Sequence, residues 1–412
     1  MVSAFTDDLL SASFIIMNLN DYQEQVSQEL TTNILPFYAQ YLLDEEQGGF
    51  YGLISNDLIV DPQAPKGLVQ HSRLLWSYAH AARMLKQVSY LALAKRAYDY
   101  LLEHFVDGQH GGLYWFVDAA GRPLSTEKIT YGHAFAIYGF SEYYLATGDE
   151  GSLETAVSLY QLLETKTGDF EFGGYFDAFL ADWTRADELN VDEVDAPVAK
   201  TMNTHLHILE AYTNLLRAWD NKQLRHRLRA LINMMLNHIV DQSRGQMMLH
   251  FSSDWQSLTP HISYGHDIEA SWLLVEAAEV LGDEGLLAEV KRIAIHMAQA
   301  AFEQGVAPDG SMLCEDHDTD RHWWPQAEAM VGFLNAYQLT KQEHFLNASI
   351  GSWQFIQENI IDHQYGEWIW GLSDGGAPIN REKAGPWKTP YHNGRSCLEI
   401  MTRIKQLESI KV

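Results

Sequence analysis

A glycine–aromatic segment recurs six times along the chain, at intervals of about sixty residues. The copies begin at Gly48 (GGFYG), Gly111 (GGLYWF), Gly173 (GGYFDAF), Gly245 (GQMMLHF), Gly310 (GSMLCE) and Gly366 (GEWIWG). The first three are close copies with a glycine pair, whereas the last three keep one glycine before an apolar or aromatic run. Self-similarity at a fixed period indicates one supersecondary unit repeated, and this limits the fold to an array of six such units.

Helical periodicity lies on both sides of each segment, so the repeated unit is helix, short glycine–aromatic turn, helix. The preceding helices are predicted at 21–43, 89–105, 150–165, 222–240, 284–303 and 341–359, and the following ones at 68–85, 127–146, 199–218, 262–281, 322–339 and 391–406. Six helical hairpins predict an all-α fold, the (α/α)6 barrel, with six inner and six outer helices around a cavity. No linker divides the chain, so residues 1–412 are predicted to form a single catalytic domain.

The two sets of helices differ in their polarity. The first set carries charged faces and is predicted to be outer, whereas the second set is more apolar all round and is predicted to be inner. The polar residues of the second set lie at the N-terminal ends, and they are Arg73, Tyr131, Asn203, His207, His266, Glu269, Glu328 and His392. Because inner helices of such a barrel run parallel, these ends are predicted to converge on one mouth. Helix-terminal residues often only cap orphan backbone groups, but repetition at equivalent places favours an active site.

Composition restricts the class of ligand. The net charge of −27 argues against nucleic acid or anionic membrane as a partner and is compatible with a neutral ligand such as a sugar. Two cysteines, Cys314 and Cys397, favour a reducing compartment. The apolar run Leu9–Met17 follows two aspartates and lacks a basic flank, so a cytoplasmic protein is expected. A monomer or weak homo-oligomer is expected.

The residues at the predicted mouth suggest acid–base chemistry. His266 and Glu269 are three apart on one helix, so the carboxylate is predicted to orient the imidazole. The spacing of the histidines matches no familiar zinc signature, and no metal or cofactor is expected. Indole faces stack on the apolar faces of sugar rings, and Trp324 and Trp387 are the favoured ligand wall.

Two histidines that reach across a cavity suit epimerisation. His266 and His392 lie on different inner helices, so one could remove a proton from a carbon and the other return a proton to the opposite face. Arg73 is the candidate cation for the enediolate formed between the two steps. Glycoside hydrolysis is the alternative, with carboxylates from Glu269, Glu328, Asp195 and Asp267. A catalytically silent sugar-binding protein would leave the two histidines and the arginine unexplained.

The chain resembles the N-acylglucosamine 2-epimerase superfamily, and within it the cellobiose 2-epimerases most closely. The segments that carry the resemblance are Gly48–Gly52, Ser72–Arg83, Tyr131–Tyr144, Lys200–Leu215, Ser263–Leu274, Trp323–Phe333 and Gly385–Glu399. The resemblance implies an (α/α)6 barrel that reversibly epimerises, at C2, the reducing-end glucose of β-1,4-linked disaccharides, without cofactor or metal. Relatives that act on free mannose or glucose, or isomerise aldose to ketose, share the first proton abstraction, so the substrate stays open.

The resemblance also implies individual roles. His266 and His392 correspond to the proton-transferring pair, Glu269 supports His266, and Arg73 contacts the reacting oxygens. The residues that line the sugar correspond to Tyr131, Asp195, Asn203 and His207, with Trp324, Trp387 and Glu328 at the aromatic platform. His71 departs from the family pattern, where a small or amide side chain is expected. It is predicted to reshape the pocket beside Arg73.

Overall fold

The computed structural model describes residues 17–189 and 197–409, which form six outer and six inner helices. The outer helices are Leu19–Glu29 (continued by Leu35–Tyr41), Ser89–Tyr100, Glu150–Lys166, Lys222–Met234, Glu284–Gly305 and Glu343–Phe355. The inner helices, numbered first to sixth in chain order, are Leu68–Leu85, Thr130–Thr147, Met202–Ala218, Tyr264–Leu281, Trp323–Thr340 and His392–Ser409. Four outer helices contain a π-helical turn, at Leu30–Ile34, Leu101–Phe105, Met235–Ile239 and Ile356–Ile360. The predicted (α/α)6 barrel is confirmed.

The inner helices pack in chain order around the axis, and the sixth also contacts the first. This closure explains their burial, because each inner helix is covered by two inner neighbours and by outer helices. The second inner helix, for example, is buried from Thr130 to Tyr143 without interruption. The apolar circumference that marked these helices in the sequence therefore reflects contact on all sides.

The connections differ at the two ends of the barrel. Inner helices pass to the next outer helices through a few residues, at 86–88, 148–149, 219–221, 282–283 and 341–342. The glycine–aromatic segments begin as tight turns, as predicted, but continue into longer connections at 42–67, 106–129, 167–201, 240–263, 306–322 and 361–391. The strands of these connections are Leu53–Ile54, Val60–Asp61, Lys66–Gly67, Phe116–Val117, Pro123–Ser125, Lys128–Ile129, Ala178–Phe179, Lys200–Thr201, Val240–Asp241, Gln246–Met247, His250–Phe251, Arg321–His322 and Gly371–Leu372.

Antiparallel pairing of these strands forms a closed ring around the mouth. The residues just before each inner helix pair with the connection of the next repeat. The successive pairs are Gly67 with Phe116, Ile129 with Ala178, Thr201 with His250, Ser263 with Glu315, and His322 with Gly371. A bridge between Ile54 and Ala384 joins the sixth repeat to the first. The ring holds the N-terminal ends of all six inner helices at one level.

A buried side chain at the fourth place of each inner helix, counted in the sixth from Pro390 where its helical hydrogen bonding begins, binds the glycine turn of its own repeat. In the first three repeats it is a histidine, whose Nε2 accepts a backbone N–H from the residue after the glycine pair. These bonds run from Phe50 to His71 at 3.3 Å, from Leu113 to His133 at 2.9 Å and from Tyr175 to His205 at 2.9 Å. The other ring nitrogen, Nδ1, donates to the backbone carbonyl four residues earlier, for example that of Ile129 at 2.8 Å.

Other polar residues take this place in the last three repeats. Asp267 accepts the Met247 N–H at 2.8 Å, and Gln326 accepts the Met312 N–H at 2.7 Å. In the sixth repeat, Asn393 donates to Glu367, whose other oxygen accepts the Trp368 N–H at 2.6 Å. In five repeats the side chain at the fourth place therefore accepts the buried N–H of the turn, and in the sixth Glu367 accepts it while Asn393 binds that carboxylate.

The histidines explain why the first three segments keep two glycines. The second glycine has positive φ, and a Cβ there would meet the imidazole: at Gly112, it would lie 2.7 Å from His133 Nε2. At Gly174 it would lie 2.8 Å from His205 Nε2 and even closer to Trp255. Only glycine fits both the backbone and this space.

His71 belongs to this set, and the prediction that it reshapes the pocket is wrong. Its imidazole is fully buried, stacks on Tyr100 with ring centroids 4.9 Å apart, and bonds the Gly67 carbonyl and the Phe50 N–H. The physical reason is the helical periodicity. Residues two places apart point about 200° apart around the helix, so when Arg73 faces the cavity, His71 points away from the barrel axis.

These imidazoles are neutral in the folded chain. Burial lowers the pKa of His71 to about 3 and those of His133 and His205 to about 4. The unfolded chain binds protons at these positions below its ordinary pKa of about 6.5, whereas the folded chain does not. The free energy of unfolding therefore falls as the pH drops from about 6.5 towards 4.

Replacing His133 with alanine is expected to lower the free energy of unfolding by about 1–3 kcal/mol at pH 7.5, because the Leu113 N–H loses its partner. The difference in the free energy of unfolding between variant and wild type should be smaller at pH 5, because protonation of His133 in the unfolded chain then removes much of its contribution to stability. Denaturant unfolding at both pH values measures it. The matched control is His226→Ala on an exposed outer-helix face, which should change stability by less than about 0.5 kcal/mol. An equal difference at both pH values would contradict a neutral buried imidazole.

Candidate active site

A cavity of about 390 Å³ lies at the N-terminal ends of the inner helices, inside the ring of paired strands. Its walls are formed by Arg73, Tyr131, Asn203, His207, His266, Glu269, Trp323, Trp324, Trp370, Arg381, Trp387 and His392. All the predicted site residues are in this wall except Asp195 and Glu328. Asp195 lies outside the described residues, and Glu328 is fully buried behind His392.

Histidine 392 is held from behind by Glu328. Its Nδ1 lies 2.7 Å from Glu328 Oε1, and the second oxygen of that carboxylate accepts the indole N–H of Trp272 at 3.1 Å. With Nδ1 bound to the carboxylate, Nε2 is the nitrogen available on the cavity side. Burial lowers the pKa of His392 well below its ordinary value, so the imidazole is neutral in the folded chain.

Histidine 266 lies on the neighbouring side of the cavity, on the fourth inner helix. Its Nδ1 is 2.7 Å from the Ser263 hydroxyl. The indole of Trp324 lies between the two histidines, with ring centroids 4.6 Å from His266 and 5.6 Å from His392. Two imidazoles on different helices therefore flank one partly exposed aromatic face.

Glu269 does not orient His266 as the sequence predicted. Its carboxylate turns towards the barrel axis and accepts a hydrogen bond from Arg395 Nη2 at 2.5 Å, because a charge-assisted bond to a buried guanidinium is especially strong. Its second oxygen, Oε2, has no hydrogen-bond partner within the parts of the chain that the structure describes. The predicted pairing at i,i+3 occurs one repeat earlier, where His207 Nδ1 lies 3.1 Å from Glu210 Oε2.

Arg395 is the centre of the charge network, and sequence reasoning missed it. The guanidinium donates to Glu210, Glu269 and Glu328, the last at 2.7 Å, and it is 2% exposed. Burial raises the pKa of Glu210, but Arg395 and His207 outweigh burial and lower this pKa to about 2. Burial raises the pKa of Glu328, and Arg395 opposes this. The available signal was spacing, since Glu210, Glu269 and Arg395 each follow a mouth histidine by three residues.

Arg73 faces the cavity from the first inner helix. Its Nη2 donates to the Tyr131 hydroxyl at 2.8 Å, and its Nη1 donates to the Trp387 carbonyl at 3.0 Å. The guanidinium lies over the rings of Phe135 and Tyr391, 4.4 and 4.6 Å from their centroids. These contacts fix a planar cation at the edge of the cavity.

One cluster at the site has the residue types of a metal centre. Ligand atoms of Glu269, Glu328 and His392 lie within 4.8 Å of one another. Both carboxylates, however, already bind Arg395. In this arrangement the guanidinium supplies the positive charge that a metal ion would supply.

Comparisons with known proteins identify the family. The model of the family N-acylglucosamine 2-epimerase (GlcNAc 2-epimerase) matches residues 48–395. A cellobiose 2-epimerase of Bacteroides fragilis is 44% identical and aligns with 92% of this chain and 98% of its own length. One of Dictyoglomus turgidum is 37% identical, over 94% of this chain and 100% of its own.

A solved structure agrees with these relatives. The cellobiose 2-epimerase of Bacillus thermoamylovorans B4167 superposes with a TM-score of 0.90 at 41% identity, covering 93% of this chain and 100% of its own. No helix in residues 17–189 and 197–409 combines the length and apolar character needed to cross a bilayer. The chain belongs to the N-acylglucosamine 2-epimerase family and is a carbohydrate epimerase, an isomerase.

Proposed function

We propose that the chain reversibly epimerises, at C2, the reducing-end sugar of β-1,4-linked disaccharides, converting the glucose of cellobiose or lactose to mannose and the reducing-end mannose of mannobiose to glucose. The observation that carries the proposal is the pair of imidazoles, His266 and His392, on two inner helices around one cavity with the Arg73 guanidinium in its wall. Relatives that are 37–44% identical are cellobiose 2-epimerases, which supports the disaccharide.

The reaction begins with opening of the sugar ring to the free aldehyde. One neutral imidazole then removes the C2 proton, and the electron pair of that C–H bond moves into a cis-enediolate whose oxygen becomes negative. The other imidazole, protonated, returns a proton to the opposite face of C2. Burial lowers the pKa of His392 and keeps this imidazole neutral, and the Glu328 carboxylate behind it stabilises the imidazolium once it forms.

Arg73 stabilises the enediolate in this proposal. Its guanidinium is already fixed by Tyr131, by the Trp387 carbonyl and by two aromatic rings, so little reorganisation is needed when charge develops. Glu269 offers its unpaired Oε2 to a sugar hydroxyl, while Oε1 stays on Arg395. Tyr131, Asn203 and His207 line the reacting sugar.

Glycoside hydrolysis receives less support from the geometry. It needs two carboxyl groups on either side of a glycosidic bond, one of which protonates the leaving oxygen. Glu328 is buried behind His392, Glu269 is bound to Arg395, and Asp267 accepts the Met247 N–H. Epimerisation or isomerisation of free monosaccharides is the second candidate, because it begins with the same proton abstraction.

Incubation in D2O separates these reactions. The purified chain is given cellobiose, lactose, mannose and glucose in turn, and the products are analysed by NMR. Deuterium at C2 of an epimer supports the proposal, and deuterium at C1 of a ketose supports an isomerase. Release of glucose from cellobiose would support the hydrolase instead.

His266→Asn and His392→Asn should each lower epimer formation by about 10²–10⁴-fold, the usual contribution of one acid–base group. Each variant should still exchange the C2 hydrogen of one epimer with D2O and fail with the other, because the remaining histidine serves one face. NMR of both epimers measures this, with His226→Gln as the exposed control. A variant that keeps more than a tenth of the wild-type turnover, or that exchanges both epimers, would remove that histidine from the mechanism.

Glu328→Gln should lower kcat by about 10²-fold or more with little change in KM, because the amide cannot hold the same tautomer and charge behind His392. Loss of the negative charge also lowers the pKa of His392, so the rise of activity with pH should move to lower pH. Glu399→Gln, in the middle of the helix that carries His392 and paired with Arg403, should keep the wild-type pH profile. An unshifted profile with wild-type kcat would contradict the positioning role.

The two partly exposed indoles serve different rings of the substrate. The sequence predicted both indoles as a ligand wall, and because Trp324 contacts both imidazoles, we assign it to the reacting sugar. The ring contacts of Trp387 are with Trp115 and Tyr131, each at 6.1 Å. We assign Trp387 to the second ring, where binding energy remote from the chemistry helps to position the reacting end.

Trp387→Ala should therefore reduce kcat/KM for cellobiose about tenfold more than for mannose or glucose, a difference of about 1.4 kcal/mol. Trp324→Ala should reduce kcat/KM for all of these sugars alike. Steady-state kinetics on each sugar, with unfolding midpoints for both variants, measures the difference. Equal proportional losses in the Trp387 variant, or a wild type faster on mannose than on cellobiose, would contradict the disaccharide assignment.

A further inference from the structure

A second cluster of histidines and carboxylates lies at the rim of the mouth, outside the catalytic cavity. His261 precedes the fourth inner helix, and Glu315, Asp316 and His317 belong to the connection that leads to the fifth. One ligand atom each from His261, Asp316 and His317 lies within 4.8 Å of the others, and all three residues are exposed or nearly so. The mechanism proposed above does not use this cluster.

The backbone holds the two segments together. Ser263 and Glu315 form an antiparallel bridge, and the Asp316 N–H donates to the Ile262 carbonyl at 3.0 Å. The Ile262 N–H in turn donates to Asp316 Oδ1 at 3.1 Å and orients that carboxylate. The cluster is therefore arranged by the same ring of strands that forms the mouth, before any ligand binds.

The distances suit a small ion. Asp316 Oδ1 lies 3.1 Å from His317 Nδ1 and 3.8 Å from His261 Nδ1. Ligands about 2.0–2.1 Å from a tetrahedral zinc ion stand roughly 3.3 Å apart, so small side-chain movements complete the geometry. The two imidazole centroids are 4.0 Å apart, tilted by 37°.

The other ring nitrogen of His317 provides a separate argument. Its Nε2 lies 3.2 Å from Glu315 Oε2, while Nδ1 faces Asp316. Metal-binding histidines usually donate their second N–H to a carboxylate, which fixes the tautomer and increases the basicity of the ligating nitrogen. Two imidazoles and one carboxylate form a set that prefers late first-row divalent ions to Mg²⁺ or Ca²⁺.

We propose that His261, Asp316 and His317 bind one late first-row divalent transition-metal ion, such as Zn²⁺, with Glu315 orienting His317. A second group on the same connection, Asp318, Asp320 and His322, also lies within reach of a common point. It has one imidazole only, so it lacks the second nitrogen ligand that favours a late first-row ion over Mg²⁺ or Ca²⁺.

The site has a consequence for activity that rests on the proposed function. A cavity of about 400 Å³ at the rim is lined by His261 and His317 and also by Asn203 and His266. An ion bound there adds positive charge and ordered water beside one of the proton carriers. We expect Zn²⁺ to inhibit the enzyme without replacing any group of the reaction.

Calorimetric titration with ZnCl₂ tests the site directly and needs no substrate. The tag-free chain should bind one Zn²⁺, and the His261→Gln/His317→Gln variant should bind it at least 10–100-fold more weakly. The matched variant Asp318→Asn/His322→Gln should bind as the wild type does. Co²⁺ gives a second readout, since a four-coordinate site with nitrogen ligands shows intense visible bands, which the His261/His317 variant should lose.

Three results would overturn the site: no binding by the wild type, equal binding by the His261/His317 variant, or loss of binding in the Asp318/His322 variant. The regulatory role has its own test, in which Zn²⁺ should lower the epimerisation rate of the wild type. The His261/His317 variant, whose rate without metal should be unchanged, should resist that inhibition. Equal inhibition of both proteins would overturn the regulatory role. Lack of any epimerisation would count against the proposed function and leave the calorimetric result intact.

Discussion

The hydrogen bond between the fourth residue of each inner helix and the glycine turn of its own repeat determines the geometry of the barrel. In an α-helix, residues i and i+2 point about 200° apart around the helix axis, so their side chains lie on nearly opposite sides of the helix. Once the fourth side chain points towards its own turn, the sixth must point towards the centre. The sixth places hold Arg73, Phe135, His207, Glu269 and Glu328 in the first five inner helices. In the sixth, helical hydrogen bonding starts at Pro390, and Arg395 takes the corresponding place.

The centre of the barrel is therefore a ring of mostly charged side chains in a medium that disfavours isolated charge. Burying an ion without partners costs several kcal/mol, and such costs are offset only by close, well-oriented opposite charges. Arg395 meets three carboxylates at once, and Arg73 lies over two aromatic rings. The same contacts restrain the side chains that border the cavity. The interactions that compensate these buried charges are therefore the same ones that position the side chains of the candidate site.

Much of the fold followed from the sequence because it depends on local patterns. Helical periodicity and the glycine repeat predicted twelve helices whose observed ends differ by a few residues, and the shared N-terminal position of the polar residues predicted the mouth. The positions of the carboxylates did not follow. Glu269 turns to Arg395 and not to His266, and Glu328 lies behind His392. Both carboxylates accept hydrogen bonds from the Arg395 guanidinium, which is 126 positions from Glu269 and 67 from Glu328 in the sequence. Such choices depend on charges brought together by barrel closure, which spacing on a single helix does not contain.

His71 illustrates the same limit. Its place next to Arg73 in sequence suggested a role in the pocket, although its equivalents His133 and His205 already stood at the same place in the next two repeats. Read within the repeat, all three histidines and the glycine pairs form one structural device. Periodicity, compared position by position across the units, separates structural from functional histidines better than proximity does.

The unequal length of the connections has a consequence for how such a barrel can diversify. At the far end, two or three residues join each inner helix to the next outer helix, and an insertion there would push packed helices apart. At the mouth, each connection is long and exposed in part, and it is anchored mainly at the glycine turn and at the ring of strands. Length changes are therefore tolerated on the side where ligands enter, so loops that reshape the entrance can be gained or lost while the inward-facing groups of the six inner helices stay in place.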